Sequence, residues 1–468
     1  MSKKKEVLFL LPDCPGYYTQ LCYSMGLELK KKGYTAIFAA TTPFYEKFKK
    51  VNLSEVGKVY YLDQFLKQKI DEKEYKSFEI DHWSYYASYS RQSYFFKKHM
   101  NSLEVLRKVK LFFQKIMDEN SIGLIFSEIV SNSFLYLAHQ QATANKIPFF
   151  GLLGARIPYH YNIQIDVVGN EMLINPSAPK EYVPTDAVLD YMKISQFGGL
   201  FDRKSSMVKP SFIKELFQFI TIKPVYSLET GYTKSFLLKV YRIAVKRIVY
   251  DFMFKHFYKV FEKEVKIDPA KIYVVYPLHV YPEASTSIFA KYYDGDEYNL
   301  IKNLAFSLPE NSVLVVKEHK NNVGTYKKSF YDNIKLLPNV LLLDPYYNLK
   351  DNLDKFDAVV TLSSTVGFEA LTKDIPVFTL GEVSFQKYPG SIKINSYLEL
   401  EENVKHIQKK KQASGKNETY NIYAKVCFPG SFNYMDGNCL NEKNVELLLV
   451  PVIDQLNSEK LHTFHNDK

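Results

Sequence analysis

The stretch that decides the fold is Val359-Val360-Thr361-Leu362-Ser363-Ser364-Thr365-Val366-Gly367-Phe368-Glu369-Ala370-Leu371. Its β-branched apolar start predicts a buried strand, its hydroxyl cluster predicts a turn, and its last residues favour a helix. A second buried-strand pattern follows at residues 375–381. Together they predict a βαβ unit with hydroxyls and free backbone N–H groups at a helix N-terminus, where a phosphate or carboxylate would bind.

Length and composition bound the class of protein. With 468 residues the chain exceeds one ordinary core, so two domains are expected. A hydrophobic content of 46% and a charged content of 24% are typical of a soluble globular protein. The net charge of +10 is spread along the chain and suits anionic membranes, glycans or nucleotides without choosing among them. Because no nucleic-acid-binding module is recognisable, nucleic acid is not favoured as a partner.

Cysteine spacing and hydropathy indicate the compartment. Cys14, Cys22, Cys427 and Cys439 form no C-x-x-C pair and no zinc spacing, so a reducing cytoplasm is expected. We expect no transmembrane helix, because no run of roughly 18 apolar residues occurs. A helix predicted over residues 235–266 interleaves Arg, Lys, Tyr and Phe. It would either pack on its domain or dock on the anionic face of the inner membrane, as a peripheral contact.

The first half of the chain alternates strands with helices. Strands are predicted at residues 6–11, 34–39, 122–126 and 147–153, and helices at 17–32 and 132–145. A helix-rich insertion, including residues 103–117, lies between the second and third of these strands. This alternation implies a parallel sheet with right-handed crossovers.

A second α/β unit follows a linker at residues 267–270. Its strands are predicted at 272–276, 313–316, 340–343, 358–362 and 377–380, and its helices at 297–306, 326–334, 365–372 and 398–409. A terminal helix is predicted at 444–456. The expected domains are therefore 1–266, 267–412 and a C-terminal segment 413–468. The predicted fold is α/β, with two Rossmann-like domains facing each other across a cleft and a helical insertion in the N-terminal half.

Polar clusters follow three strands of the second half, where ligands bind in open parallel sheets. His279 and Glu283 stand in a proline-flanked loop and could bind a phosphate or a sugar hydroxyl. Alternatively, this is a surface loop with a capping Glu. Lys317, Glu318 and His319 follow the next strand: the imidazole and ammonium would meet an anion, and Glu318 would accept hydrogen bonds from a base or ribose. The alternative there is a set of solvated charges.

The third cluster is the opening one. Ser363, Ser364 and Thr365 offer hydroxyls, Gly367 would allow close backbone approach, and Glu369 could reach a sugar hydroxyl. The alternatives are an ordinary Ser or Thr cap and a carboxylate that favours the helix dipole. Three clusters at successive strand ends favour a nucleotide-sugar site.

The first half offers candidates for handling an acceptor. Glu128 follows a predicted strand and is the first choice for general base, with Asp13 as the second. Alternatively, Glu128 is a carboxylate that stabilises a helix N-terminus, and Asp13 is an ordinary turn residue. Arg156 and His160 could meet an acidic acceptor or a donor carboxylate. Asp294-Gly295-Asp296 lies in a predicted loop, so metal-independent transfer without a cofactor is favoured.

Several of these motifs carry a resemblance to a known family. Pro277-Leu278-His279 with Pro282-Glu283-Ala284-Ser285, Val316-Lys317-Glu318-His319 and Ser364–Leu371 with Pro376-Val377 resemble the bacterial capsule polysaccharide biosynthesis family, which includes Kdo transferases. The similarity covers roughly residues 270–390. The N-terminal half resembles two-domain GT-B glycosyltransferases only in general terms.

The resemblance implies a GT-B fold and, in Kdo-transferring members, a CMP-linked donor. The family's His–Pro element falls on His319, which Lys320 rather than proline follows. The hydroxyl element falls on Ser363, Ser364 and Thr365, and the Gly–Glu element on Gly367 and Glu369. These residues would bind the donor's nucleotide and phosphate.

The expected function is a metal-independent glycosyltransferase that moves Kdo or a related acidic sugar from a nucleotide sugar to a surface polysaccharide or glycolipid. Two alternatives stay open. A teichoic-acid-type polyol-phosphate transferase would use CDP-glycerol in a similar layout. An inactive binding subunit of polysaccharide assembly is the other, and Lys320 is the feature that supports it.

Overall fold

The structure is a computed structural model. It describes residues 5–12, 16–43, 46, 51–82, 84, 103–193, 260–279, 284–293, 295–319, 326–407, 416–432 and 438–458. The chain divides into two compact units: Met1–Lys180 with Pro184–Lys204 and Ala424–Lys468, and Glu181–Val183 with Ser205–Tyr423.

The first unit is built on a mostly parallel sheet. Its strands β1 to β7 are Glu6–Leu11, Thr35–Ala40, Lys58–Tyr61, Ile122–Glu128, Phe149–Gly154, His160–Asp166 and Glu171–Met172, and β14 is Phe428–Pro429. Its helices α1 to α6 are Gly16–Lys31, Leu62–Phe65, Glu72–Tyr75, Leu103–Glu119, Ser133–Ala144 and Asp186–Lys193, and α13 is Glu442–Asn457. A short 3₁₀ helix spans Leu53–Glu55.

Strand order in this sheet is β14-β6-β5-β4-β1-β2-β3, and β7 pairs with β6. The five strands β1 to β5 run parallel, which confirms the expected Rossmann-like arrangement. Phe9 is in register with Phe38 and with Phe126, and its ring lies 5.5 and 5.2 Å from theirs. Such same-face partners on neighbouring strands pack a row of aromatic rings into the core.

The edge of the first sheet is antiparallel, which the sequence did not indicate. β6 pairs antiparallel with β5, β7 and β14. The C-terminal helix α13 joins the same core: Leu448 and Val452 are fully buried with Leu21 and Met25 of α1. The last part of the chain thus completes the first unit.

The second unit holds a parallel sheet of six described strands. Strands β8 to β13 are Ile272–Pro277, Ser312–Lys317, Val340–Leu343, Ala358–Thr361, Val377–Thr379 and Ser391–Lys393. Helices α7 to α12 are Ala284–Ser287, Glu297–Phe306, Lys328–Lys335, Thr365–Leu371, Tyr397–Lys405 and Lys416–Ala424, with 3₁₀ turns at Lys291–Tyr293 and Leu353–Lys355. The order is β10-β9-β8-β11-β12-β13. This is the doubly wound Rossmann order 3-2-1-4-5-6, so the predicted fold class is confirmed for this unit too.

The helix predicted over residues 235–266 is wrong at its end. Residues up to 259 lie outside the described part of the chain, but residues 260–266 are not helical. Glu262 instead forms an isolated parallel bridge with Leu343: its N–H donates to Leu342 over 2.8 Å and its carbonyl accepts from Asp344 over 2.9 Å. Since Val260 and Phe261 pack on the core of the second unit, burial at the sheet edge overrides helical periodicity there.

Candidate functional site

The second sheet has a topological switch point between β8 and β11. From β8 the strand order runs to β9 and β10 on one side, and from β11 to β12 and β13 on the other. In open α/β sheets, ligands bind beyond the carboxyl ends of the strands at such a point. His279 lies two residues beyond β8, and Ser363 lies two residues beyond β11. Two of the predicted clusters therefore flank the switch point.

His279 links the two strand ends. The backbone N–H of Ser363 donates to Nε2 of His279 over 3.4 Å. His279 is buried, and this burial together with the nearby His319 lowers its pKa from 6.5 to about 4. With Nε2 accepting, the neutral ring carries its proton on Nδ1. The side chain is therefore a neutral imidazole at the centre of the predicted site.

The three residues of the cluster at the end of β9, Lys317, Glu318 and His319, have different environments. The Lys317 ammonium donates to the carbonyl of Pro345 over 2.6 Å and to that of Glu318 over 3.0 Å. Glu318 is fully buried, and its carboxyl oxygens accept from the His319 N–H and from the Tyr331 hydroxyl, each over 2.6 Å. His319 is half-buried and near enough to His279 to lower its pKa. Lys317 and Glu318 are thus engaged by protein groups, and His319 lies beside His279.

The hydroxyl cluster beyond β11 contains an ordinary helix cap. Ser364 is the N-cap of α10: its Oγ accepts from the Val366 N–H over 3.2 Å, and its own N–H donates to Thr361 Oγ1 over 2.9 Å. Ser363 is half-buried and Thr365 is exposed. The alternative of a Ser cap thus describes Ser364, while the donor-binding role of the cluster stays a prediction.

Gly367 and Glu369 face the interior of the unit. A Cβ on Gly367 would lie 2.7 Å from Phe385 Cζ and 3.1 Å from Val377 Cγ1, so tight packing accounts for this glycine. Glu369 is buried, and its Oε1 pairs with the Lys350 ammonium at 3.1 Å. Contacts of these two residues with a donor stay predictions. Glu283, the remaining predicted donor residue, lies outside the described residues.

Three supporting residues carried no sequence signal of function. Tyr331 on α9 has the pattern of a core aromatic, and Lys350 lies in a loop. Lys393, at the end of β13, donates to the carbonyl of Gly381 and to the Glu382 carboxylate, each over 2.7 Å. Their partners are distant in sequence or lie across strand ends, so only the fold brings them to the site.

In the first unit, Glu128 is the last residue of β4 and is half-buried. Its charge contributes to raising the pKa of Cys22, whose burial is the larger cause. Asn132 caps α5, accepting from the Leu135 N–H over 3.1 Å. Asp13 lies outside the described residues. The choice of Glu128 as the catalytic carboxylate stays a prediction.

Arg156 and His160 lie at the turn between β5 and β6. The Ala155 N–H donates to the carbonyl of His160 over 2.9 Å, and His160 Nδ1 lies 2.7 Å from the carbonyl of Pro158. Tyr159, between them, is exposed with φ of 55°. This turn follows β5 at the carboxyl edge of the first sheet, where Glu128 and Leu152 are in register.

The described part of the chain offers neither a metal-binding cluster nor a membrane-spanning helix. No cluster of three or more His, Cys, Asp or Glu side chains there could hold a metal ion. Asp296 caps α8 by accepting from the Asn299 N–H over 3.3 Å, and Asp294 lies outside the described residues. Within the same residues, every helix is too short or too polar to cross a bilayer.

Comparison with known proteins adds a family match. Residues 231–424 match the family of capsule polysaccharide biosynthesis proteins. No curated protein sequence matches the chain significantly. The matched segment contains all three predicted clusters at the strand ends of the second unit.

Solved structures with similar folds have low sequence identity. A putative UDP-N-acetylglucosamine 2-epimerase from Listeria monocytogenes is 11% identical, covers 98% of this chain and 99% of its own, and has a TM-score of 0.29. The beta Kdo 2,4 transferase KpsC of Thermosulfurimonas dismutans is 14% identical, with coverages of 69% and 88% and a TM-score of 0.34. A glycosyltransferase from Rickettsia africae is 10% identical, with coverages of 98% and 100% and a TM-score of 0.29.

Because these structural likenesses are distant, the assignment rests on the sequence match and on the motifs within it. The resemblance predicted from residues 270–390 is confirmed. Over residues 231–424, the chain is therefore similar to the capsule polysaccharide biosynthesis family.

Proposed function

We propose that the protein is a glycosyltransferase that moves a sugar from a nucleotide-sugar donor to a surface polysaccharide or glycolipid acceptor. The observation that best supports this is the placement of His279 and Ser363 on either side of the switch point, with His319 beside them. Ligands of doubly wound sheets bind at this position. The family match over the same residues supports a role in capsule synthesis.

In this proposal the second unit binds the donor. His319 lies beside the nucleotide phosphate and stabilises the charge that develops as the sugar leaves. His279 stays neutral and orients the backbone of Ser363. Because a neutral imidazole adds no positive charge, phosphate attraction comes from His319 and from backbone N–H groups.

The acceptor hydroxyl requires a base. We assign this role to Glu128, with Asp13 as the second candidate, and general-base help of this kind contributes roughly 10²–10⁴-fold to a rate. Arg156 and His160 are assigned to a carboxylate of the acceptor or donor. The donor sugar is Kdo or a related acidic sugar, linked to CMP. The protein would act in the cytoplasm, with peripheral contact to the inner membrane.

The test is incubation of the purified protein with CMP-Kdo and, separately, CDP-glycerol, followed by measurement of released CMP in the presence of a capsular glycolipid acceptor. We expect release from CMP-Kdo. Release from CDP-glycerol alone would contradict the proposal and favour a polyol-phosphate transferase. A His319→Ala variant should lose release, whereas His406→Ala, which removes an exposed histidine of the same unit, should retain it.

One sequence feature supports a different class of function. Lys320 stands where the family has proline, and this keeps an inactive binding subunit as a second candidate. Such a protein would release no CMP from either donor. If, in addition, no sugar nucleotide raises its melting temperature, the protein would not bind donors at all.

A further inference from the structure

Glu318 differs in its environment from a carboxylate that binds substrate. Its side chain is fully buried, and its two oxygens accept from different groups: Oε1 from the backbone N–H of His319, and Oε2 from the hydroxyl of Tyr331. Both hydrogen bonds are 2.6 Å long. A ribose or base cannot reach a carboxyl group that has no accessible surface. The carboxylate is therefore held by the protein itself.

Tyr331 is equally constrained. It is fully buried in α9, and its ring packs against Phe261 and Phe330 with centroid distances of 5.1 and 5.2 Å. A ring enclosed in this way cannot change its rotamer without opening the core. The hydroxyl is thus a fixed donor to the Glu318 carboxylate, which in turn accepts from the backbone N–H of His319.

The neighbouring lysine fixes the same strand end from the other side. The ammonium of Lys317 bridges the carbonyls of Glu318 and Pro345, which joins the end of β9 to the loop after β10. The peptide bond between Glu318 and His319 is therefore held at both of its polar groups: its carbonyl accepts from the Lys317 ammonium, and its N–H donates to the Glu318 carboxylate. His319, the remaining residue of the Lys-Glu-His motif, is half-buried and lies beside His279.

We propose that Glu318 is a positioning residue. Held by Tyr331, it fixes the backbone of His319 so that the imidazole meets the nucleotide phosphate, and it makes no contact with ribose or base. The nucleotide-binding part of this inference rests on the proposed function, whereas the positioning of His319 does not. Preorganised groups of this kind need support from neighbouring residues whose own conformations are locked by packing.

The same unit contains a matched control. Tyr276 is also fully buried, and its hydroxyl donates over 2.8 Å to a carboxyl oxygen of Glu297, at the start of α8. Both tyrosines belong to one hydrophobic core. Replacing either with Phe removes one buried hydroxyl from one glutamate. Only Tyr331 connects to His319, so the two variants separate positioning from general stability.

The first experiment measures the backbone amide resonance of His319 in the absence of any ligand. With ¹⁵N-histidine labelling, the amide of His319 is identified among ten histidines by its disappearance in His319→Gln. We expect its proton resonance to move upfield in Tyr331→Phe and in Glu318→Gln, because the hydrogen bond to the carboxylate weakens. It should stay in place in Tyr276→Phe. An unmoved resonance in Tyr331→Phe, or an equal movement in Tyr276→Phe, would overturn the proposal.

The second experiment reads nucleotide binding, with CMP and UDP as probes in isothermal titration. We expect Tyr331→Phe to bind roughly tenfold more weakly, as loss of one supporting hydrogen bond predicts, and Tyr276→Phe to bind like the wild type. The double variant Tyr331→Phe/Glu318→Gln should be no weaker than the worse single variant, because both residues act through one path. If the losses in binding free energy of the two single variants add up in the double variant, the two residues act independently, which would contradict the proposal.

Together, the two experiments distinguish failure of the proposed function from failure of the positioning role. If the wild type binds neither nucleotide but the amide resonance moves as expected, the proposed function fails and the positioning role stands. If nucleotides bind equally to all variants, the positioning role is wrong and the function stands. Should Glu318→Gln fail to fold, Tyr331→Phe and its control still decide both outcomes.

Discussion

The backbone N–H of Ser363 donates to Nε2 of His279, and this bond joins the ends of the two strands on either side of the switch point in the second sheet. The residues are 84 positions apart in sequence. An imidazole that accepts a backbone hydrogen bond cannot also be protonated at that nitrogen. Folding of the site therefore depends on a neutral His279.

Acid should destabilise the protein through His279. Its pKa is about 4 when folded and 6.5 in the unfolded chain, so below pH 6.5 the unfolded chain binds a proton that the folded protein does not. The stability that neutral His279 contributes is fully present above pH 6.5 and is lost as the pH falls toward 4. Between pH 7.5 and pH 5 the loss should be about 2 kcal/mol. Urea unfolding of the wild type and His279→Gln at both pH values measures it: an equal acid loss in both proteins would contradict this prediction.

Gly367→Ala should destabilise the second unit through packing. The added methyl would lie 2.7 Å from Phe385 Cζ, closer than carbon atoms approach without a shift. Overpacking of this kind costs about 1–3 kcal/mol. Chemical unfolding measures the cost, and Phe385→Leu in the same chain should recover part of it. Gly151→Ala is the control, because its Cβ would meet neighbours no closer than 3.4 Å. If Phe385→Leu recovers nothing, contact with Phe385 is not the reason for the glycine.

Lys350→Met should destabilise the protein more than Lys405→Met, which breaks a more exposed ion pair. Glu369 is buried with only 8% of its side chain accessible, so removal of the Lys350 ammonium leaves a poorly solvated carboxylate. Since the lysine itself is 31% exposed, water compensates in part and we expect about 1–2 kcal/mol. Lys405→Met breaks the surface pair with Glu401 and should cost less than about 0.5 kcal/mol. Thermal unfolding compares them, and equal shifts would show that burial of Glu369 contributes nothing.

Glu128→Gln should slow transfer strongly without weakening nucleotide binding. If Glu128 is the base, the neutral amide cannot accept the acceptor's proton, and the turnover number should fall by roughly 10²–10⁴-fold. Donor affinity, measured by titration, should stay within a factor of two or so, because the donor residues lie in the other unit. Glu55→Gln, on an exposed 3₁₀ turn, is the control for charge. Full activity in Glu128→Gln would move the assignment to Asp13.

Strands β8 to β12 of the second sheet could be predicted from sequence because each is a short, mostly buried apolar run, whereas β13, whose three residues are only half-buried, was not predicted. Predicted and observed limits of β8 to β12 differ by at most one residue at either end. Three strand ends with polar residues then located the candidate site. Local patterns suffice where burial and periodicity coincide.

The antiparallel strand β6 could not be predicted in this way. Asn162 and Gln164 are buried within it, so its sequence lacks an apolar face on that side. Asn162 donates over 2.8 Å to the carbonyl of Val426, and Gln164 donates over 2.8 Å to Asn170. The first partner is 264 residues away. A buried polar residue is stable only with such a partner, and sequence alone does not show which residue provides it.

The same limit applies to the site. His279, His319 and Ser363 were identified because they directly follow strands. The inward direction of Glu318 and Gly367 was not apparent, because it depends on Tyr331 and Phe385, which lie in other elements. Residue type and spacing indicate where a site lies, while the fold decides which of its side chains face a ligand.

We expect a nucleotide to bind at the strand ends around the switch point of the second unit. Hydrogen–deuterium exchange with and without saturating CMP or CMP-Kdo tests this most directly. We expect protection in peptides that contain His279, His319 and Ser363, and unchanged exchange in the antiparallel edge of the first sheet. Protection confined to the first unit, or no protection under conditions where titration shows binding, would contradict nucleotide binding at these strand ends.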